Sequence, residues 1–204
     1  MCIRDRYSSN HPFATESFID ELAHHAGQDP YAYRRRLLAA RPRMVATLDA
    51  AAAAAGWGRP RPPGRGLGMA CIEGWDSFCA QVADVSVTDG QVRVHRIWAA
   101  VDCGIVLSPD SVVAQVEGAI AFALSGVLQS RISVKGGAVQ QSNFDDYPVL
   151  RMQQMPEEVQ LLASDEPPGG VGELALPPCA PAVTNALFAA TGRRIRSLPL
   201  PDQV

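Results

Sequence analysis

Residues 78–101 read FCAQVADVSVTDGQVRVHRIWAAV and carry the clearest structural signal in the chain. Along the first half, odd-numbered residues from Cys79 to Val87 fall on one side of an extended chain and even-numbered residues on the other. Asp89-Gly90 favours a two-residue hairpin turn. The sequence therefore predicts two long antiparallel strands, 78–87 and 91–101. Inward-facing positions on the second strand are predicted at Val92, Val94, Ile97 and Ala99.

Three helices are predicted upstream of this hairpin, at residues 15–26, 29–40 and 43–55. Phe18 and Leu22 share a face of the first helix, and we expect that face to be buried. Segment 58–66 contains three prolines and predicts a linker. A further strand is predicted directly after it, at 67–73.

A long helix is predicted from Pro109 to about residue 129, with Ser108 before it as a possible N-cap. Because this segment has so little charge, we expect the helix to be buried nearly all round. Gln115 lies on a stripe with Gly118 and Phe122, where a buried amide needs hydrogen-bond partners. The partner can be a backbone group, or a flat ligand that approaches the small residues.

The sequence PPGGVGE at residues 167–173 combines glycines and prolines with one carboxylate, that of Glu173. Glycine permits positive φ and close approach of another group, and proline stiffens the chain. Such a loop can hold Glu173 toward a ligand. Alternatively, Glu173 screens the N-terminus of the last predicted helix, 178–190. A strand is predicted before this loop, at 158–163.

Composition narrows the class of protein. The chain has 204 residues, 47% of them hydrophobic and 19% charged, so it can bury a sizeable core. Its net charge of −3 argues against nucleic acid as the main partner. No apolar run reaches the roughly 18 residues of a membrane-spanning helix, so we expect no transmembrane segment. The five cysteines form no CxxC pair and have no zinc-like spacing.

Six short motifs are together similar to those of one enzyme family. They occur in the same order as in that family and cover about residues 8–200. The chain resembles the C-terminal part of the large, molybdenum-cofactor-binding subunit of the xanthine dehydrogenase family, and within it the isoquinoline 1-oxidoreductase beta subunits. The motifs are FATESFIDELA (13–23), VDCG (101–104), QVEG (115–118), QSNFDDY (141–147), GVGE (170–173) and PAVTNALFAATG (181–192). One departure is Leu174, where the group usually has proline.

The resemblance implies a mixed α/β fold in which antiparallel strands pack on a long buried helix beside an N-terminal helical segment. It also implies oxidative hydroxylation with water as the oxygen source, and electron transfer to iron–sulfur clusters on a partner subunit. Glu173 would be the catalytic base, and Gln115 would contact the pterin of the cofactor, with Gly170 and Gly172 in the binding loop. The implied cofactor is molybdopterin, in its cytosine dinucleotide form.

The substrate class stays open between an N-heteroaromatic, isoquinoline-like compound and an aldehyde. Phe144 and Tyr147 are candidates for the substrate pocket, or they pack as ordinary loop residues. A non-catalytic structural or interaction domain that retains the fold is the alternative function. Localisation is open between bacterial cytoplasm and periplasm.

The composition of successive segments, together with the resemblance, predicts how the chain is divided. Residues 1–6, MCIRDR, resemble translated sequencing-adapter read-through, so residues 1–7 are predicted to be a non-native leader. A helical segment at 8–57 and a linker at 58–66 are predicted to precede a cofactor-binding part at 67–204. The resemblance implies that further cofactor contacts come from a missing N-terminal part of the same subunit, and that this fragment alone is inactive.

Overall fold

The computed structural model describes residues 10–201, so the predicted leader at 1–7 lies outside the described part. A short 3₁₀ turn at Met152–Gln154 accompanies the regular elements. The helices are α1 (His11–His25), α2 (Pro30–Leu37), α3 (Pro42–Ala55), α4 (Pro109–Leu128) and α5 (Cys179–Thr191). The strands are β1 (Arg65–Gly74), β2 (Ser77–Thr88), β3 (Gln91–Asp102), β4 (Val134–Lys135), β5 (Ala138–Val139) and β6 (Glu157–Leu161). The mixed α/β class is confirmed, and β1 begins inside the segment predicted as a linker.

The predicted β2–β3 hairpin is present, with Asp89 and Gly90 at φ of 51° and 75° in its turn. The pairing shifts between Asp84 and Val85, because His95 is an extra residue on β3. Such a bulge reverses which side chains face inward. Val92 and Val94 before it and Ile97 and Ala99 after it therefore all contact the same core.

The main sheet has the strand order β1-β2-β3-β6. β6 runs parallel to β3, from the pair Ile97 and Glu157 to the pair Val101 and Leu161. The expectation of antiparallel strands holds for β1, β2 and β3 and is wrong for β6. The chain between β3 and β6 includes α4, and a crossover of this kind returns the chain to the same end of the sheet, which makes the pairing parallel.

Helices cover both faces of the sheet. α3 packs mainly on β2 and β3 and also contacts β1, and its Leu48 and Ala52 share a buried cluster with Met69 of β1 and Val82 of β2. On the other face α5 packs on β1 and β2, and α4 contacts β6 and α5. Gly68 allows this packing, because a Cβ there would overlap the backbone nitrogen of Ala186. The helix closest to the sheet on this face is thus α5, and α4 lies at its side.

α4 is buried on one side only, so the expectation of burial nearly all round is wrong. Val116, Ile120 and Leu124 are fully buried, whereas Phe122 is 55% exposed. By length and composition alone α4 could cross a membrane, which leaves the prediction of no transmembrane segment untested. Its buried stripe packs against β6 and α5, as the core helix of a folded domain does.

The buried face of α1 is not the face that was predicted to be buried. Phe18 and Leu22 are 58% and 37% exposed, while Glu16 and Asp20 are buried. The buried acids face Arg34 of α2, whose Nε lies 3.0 Å from Glu16 Oε2 and whose Nη1 lies 3.6 Å from Asp20 Oδ1. A buried guanidinium needs paired carboxylates, and this requirement decides which face of α1 turns inward.

Candidate active site

The elements that hold the glycine-rich loop, residues 167–173, meet at one edge of the sheet. The β1–β2 turn at Trp75-Asp76 lies at this edge, and β3 and β6 both end there. Trp75 and Asp76 have φ of 55° and 59°, a left-handed conformation that is costly for residues other than glycine. The loop that carries Glu173 leaves the end of β6 and therefore begins at this edge.

Three backbone hydrogen bonds fix the loop before it reaches Glu173. The nitrogen of Ile105 donates to Glu166 O at 2.9 Å, and that of Gly169 donates to Cys103 O at 2.8 Å. The nitrogen of Gly170 donates to Trp75 O, also at 2.8 Å. The loop is thus tied both to the chain leaving β3 and to the β1–β2 turn.

Close packing, rather than unusual dihedral angles, explains two of the loop glycines. Gly169, Gly170 and Gly172 are not among the glycines with positive φ. A Cβ at Gly169 would overlap Ser77 Oγ and lie 2.7 Å from Asp76 O, and one at Gly170 would lie 2.9 Å from the Cβ of Trp75. A Cβ at Gly172 would meet nothing within 4 Å, so the backbone beside Glu173 is open to a ligand.

Glu173 begins a tight turn that is closed by a 3.1 Å hydrogen bond from the nitrogen of Leu176 to Glu173 O. Leu174 and Ala175 in this turn are fully buried. The Glu173 side chain is half-buried, and its Oε1 atom is buried without a hydrogen-bond partner among the described residues. An unpartnered buried carboxylate oxygen is costly and can accept a hydrogen bond from a ligand.

The alternative in which Glu173 screens the last helix is wrong. α5 begins at Cys179 after the N-cap Pro178, with no acidic residue in its first turn and no side-chain cap. Glu173 lies before that helix, in a separate turn.

Asp102, the last residue of β3, forms several hydrogen bonds at the same edge of the sheet. Arg43 of α3 donates two hydrogen bonds to it, from Nε to Oδ2 at 2.8 Å and from Nη2 to Oδ1 at 2.7 Å. The nitrogen of Gly104 donates a third bond to Oδ1 at 3.0 Å. These bonds, that of Arg43 foremost, lower the pKa of the Asp102 carboxyl. The carboxylate thereby connects α3 to the segment that anchors the loop.

Of the other predicted site residues, Gly170 and Gly172 lie in the same loop as Glu173, whereas Gln115, Phe144 and Tyr147 come from other segments of the chain. Gln115 is exposed, so the expectation that its amide is buried is wrong. Phe144 is 87% exposed, which excludes ordinary loop packing for it, and Tyr147 is half-buried. Within residues 10–201, no hydrogen bond or ring contact connects any of the three to Glu173. Their roles in binding stay predictions.

Comparison with known proteins identifies the family. Residues 45–156 match the molybdopterin cofactor-binding domain. The chain belongs to that family. It is 39% identical over 194 residues to the beta chain of isoquinoline 1-oxidoreductase from Brevundimonas diminuta, and 35% identical over 209 residues to a nicotinate dehydrogenase subunit from Pseudomonas putida. Each alignment covers 92% of this chain. The expected resemblance to the xanthine dehydrogenase family is confirmed.

Among solved structures, aldehyde oxidoreductase from Desulfovibrio gigas superposes on 97% of this chain with a TM-score of 0.74. The two are 14% identical, so the likeness establishes the shared fold. The chain covers 40% of that structure, and 25% and 18% of the two curated relatives. It therefore spans only a part of the length of the proteins that it matches.

Two further residues support the Glu173 loop, and neither is named among the site residues predicted from the sequence. Gln81 is fully buried on β2, and its Nε2 donates to Ala175 O at 2.6 Å. Trp75 supplies the carbonyl that binds Gly170. The signal for Gln81 was available in the sequence, since it is the one polar residue on the otherwise apolar side of β2 from Cys79 to Val87. No local pattern indicates the role of Trp75.

Proposed function

We propose that this chain is part of the catalytic subunit of a molybdenum hydroxylase and that Glu173 is its general base. The observation that carries the proposal is the Oε1 atom of Glu173, which is buried and unpartnered on a turn anchored from both sides. A general base must be held within hydrogen-bond reach of the proton that it removes. The hydrogen-bonded loop holds Glu173 in place, and its unpartnered Oε1 atom is able to accept that proton.

The described residues also suit a bound cofactor. The open backbone at Gly172 and the exposed amide of Gln115 offer hydrogen-bonding groups, and Gly170 would contribute to the same loop. We propose that these residues contact molybdopterin, as its cytosine dinucleotide, together with segments of the complete subunit. When bound, the molybdenum cofactor supplies the centre that accepts two electrons from the substrate.

Glu173 then has one defined task. Its Oε1 accepts the proton of the water-derived oxygen while that oxygen attacks an electron-poor carbon of the substrate. The burial of Leu174 and Ala175 beneath the turn keeps the carboxylate from swinging away. We propose that the electrons leave through an iron–sulfur subunit or domain.

For the substrate, we propose an N-heteroaromatic compound of the isoquinoline kind, with an aldehyde as the second candidate. The similarity to subunits named for isoquinoline and nicotinate oxidation supports the first class. An electron-poor ring carbon beside nitrogen is the atom that such an oxygen nucleophile attacks. Turnover of isoquinoline and of an aromatic aldehyde by the complete enzyme, compared side by side, decides between the classes.

The role of Glu173 is tested in the complete enzyme by Glu173→Gln, which removes the base while keeping the shape of the side chain. We expect turnover to fall by about 10²–10⁴-fold, the usual contribution of general-base catalysis. Molybdenum content, measured by metal analysis, should stay at the level of the unmodified enzyme. The matched control is Asp165→Asn, an exposed carboxylate on the same loop, which should keep full turnover.

Two outcomes would contradict the proposal. Retained turnover in Glu173→Gln would remove Glu173 from catalysis. A complete, folded subunit that binds no molybdenum would instead favour the non-catalytic interaction domain.

A further inference from the structure

Gln81 occupies a position where an apolar side chain would be expected. It lies on the side of β2 that faces the main core, among fully buried residues that include Cys79 and Ala83. Its Oε1 atom is buried and has no partner within the described part of the chain. Burying an amide oxygen in this way destabilises the fold. A leucine or methionine would avoid the penalty, so packing alone does not explain the glutamine.

The other end of the same amide makes a specific contact. Gln81 Nε2 donates to Ala175 O at 2.6 Å, across 94 residues of sequence. Its second neighbour is the sulfur of Cys79 at 3.9 Å, a weak acceptor. The strong bond of Gln81 is therefore directed at the turn that begins with Glu173.

This contact completes the support of the turn. Upstream of Glu173, the loop is last fixed at Gly170, which binds Trp75 O. Downstream, Ala175 is fixed by Gln81. The four residues between these points include Glu173, so each end of the short segment that carries the carboxylate has its own hydrogen bond to the β1–β2 hairpin.

We infer that Gln81 is a positioning residue: its amide fixes the Glu173 turn to the sheet and so aims the Glu173 carboxylate. The inference rests on the proposed function for its catalytic consequence, whereas the structural role of Gln81 stands independently. The substitution that separates the two is Gln81→Met, which keeps the volume and removes both the donor and the unpartnered oxygen.

The first test uses hydrogen exchange in the 204-residue chain, followed by NMR. In Gln81→Met, the amide of Leu176, which donates to Glu173 O, should exchange about tenfold faster because the turn opens locally. Amides of the β2–β3 hairpin should keep their protection. The control is Gln160→Met, at an exposed position on β6, which should leave Leu176 unchanged.

A second variant tests the bond itself. Gln81→Glu can donate to Ala175 O only while its carboxyl group is protonated. Protection of the Leu176 amide should therefore be close to native at acid pH and decrease as this carboxyl group ionises. A purely apolar role would instead make the β2–β3 hairpin amides lose protection together with Leu176, because an ionised carboxylate buried in the core destabilises the whole fold.

The native chain gives a further measurement if both variants fail to fold. The Nε2 protons of Gln81 should be protected from exchange as the Leu176 amide is, because the same local opening of the Glu173 turn would release both. Rapid exchange of these protons in the native chain, or native exchange of Leu176 in Gln81→Met, would overturn the inference.

In the complete enzyme, Gln81→Met should lower kcat by roughly tenfold through misplacement of the base, with KM nearly unchanged. If Glu173→Gln keeps its turnover, the proposed function fails, yet the exchange results still decide whether Gln81 fixes the turn. If Glu173→Gln is inactive and Gln81→Met keeps full kcat, the proposed function stands and the positioning role fails.

Discussion

At the scale of single residues, Asp102 shows how one carboxylate can serve two elements. It accepts two hydrogen bonds from Arg43 of α3 and one from the backbone of Gly104. Gly104 has a φ of 74°, and a Cβ there would overlap Pro167 O, so the chain after β3 packs directly on the Glu173 loop. The ion pair therefore influences the candidate site without contacting it.

The lowered pKa of Asp102 predicts how stability depends on pH. A carboxyl group with a lower pKa in the folded state stabilises the fold above its unfolded pKa, about 3.9. That contribution is lost as pH falls through the folded pKa. We expect Asp102→Asn to cost about 1–3 kcal/mol of unfolding free energy at pH 7, and much less in strong acid. Denaturant unfolding at several pH values measures the difference, and an equal cost at all pH values would contradict it.

Glu173 itself marks the limit of residue-level prediction. The sequence PPGGVGE indicates that a carboxylate is held on a shaped loop, and the structure agrees. The sequence does not show why glycine is needed at residues 169 and 170. The groups that pack against Gly169 and Gly170 come from the β1–β2 turn, which is far away in sequence. The same limit applies to Gln115, whose exposure depends on where α4 lies and not on its own helical stripe.

At the scale of elements, the packing of α5 on β1 depends on glycine. Gly66 and Gly68 face the helix, and a Cβ at either position would overlap or crowd its backbone. The helix backbone cannot move away at low cost, because α5 is buried along most of its length. Glycine inside a strand is a known signal for such close approach.

Gly68→Ala should therefore destabilise the chain by roughly 1–3 kcal/mol or more, as overpacking does. Gly126→Ala is the matched control, since Gly126 lies in α4 and a Cβ there meets nothing within 4 Å. That change should stabilise the chain by about 0.5–1 kcal/mol through better helix propensity. Thermal unfolding of both variants tests the pair, and a neutral Gly68→Ala would show that α5 can shift.

Elements were predictable where their signals are local. The β2–β3 hairpin follows from alternation and an Asp-Gly turn, and α3 ends at Gly56, which has a φ of 62°. The direction of β6 was not predictable from its own sequence, because it depends on the path of the chain through α4. The inward face of α1 was mispredicted for a similar reason, since Arg34 of α2 determines it.

At the scale of the whole molecule, Arg34 joins parts of the chain that are distant in sequence. Its Nη2 donates to Glu16 O at 2.8 Å, in addition to its bond to the Glu16 carboxylate. Glu16 Oε2 also accepts from the nitrogen of Cys71 in β1 at 3.0 Å, and Asp20 accepts from Arg194 beyond α5 at 2.7 Å. One buried charge network thus connects α1, α2, the sheet and the C-terminal segment.

Removing the central cation should affect this whole arrangement. We expect Arg34→Leu to cost about 3–5 kcal/mol, because Glu16 is left as a buried charge without its main partner. Arg36→Leu, on the exposed side of the same helix, should change stability by less than about 0.5 kcal/mol. Urea unfolding of the two variants checks the contrast. Similar costs for both would mean that the network contributes little.

The direction of β6 has a consequence for the order in which the molecule assembles. Antiparallel neighbours β1, β2 and β3 are joined by short turns, so their pairing closes small loops. The parallel strand can dock only after the intervening chain has been confined, which carries a larger entropic cost and slows formation. We therefore expect the carboxylate proposed as the catalytic base to belong to a segment that folds late, after the β1–β3 sheet has formed.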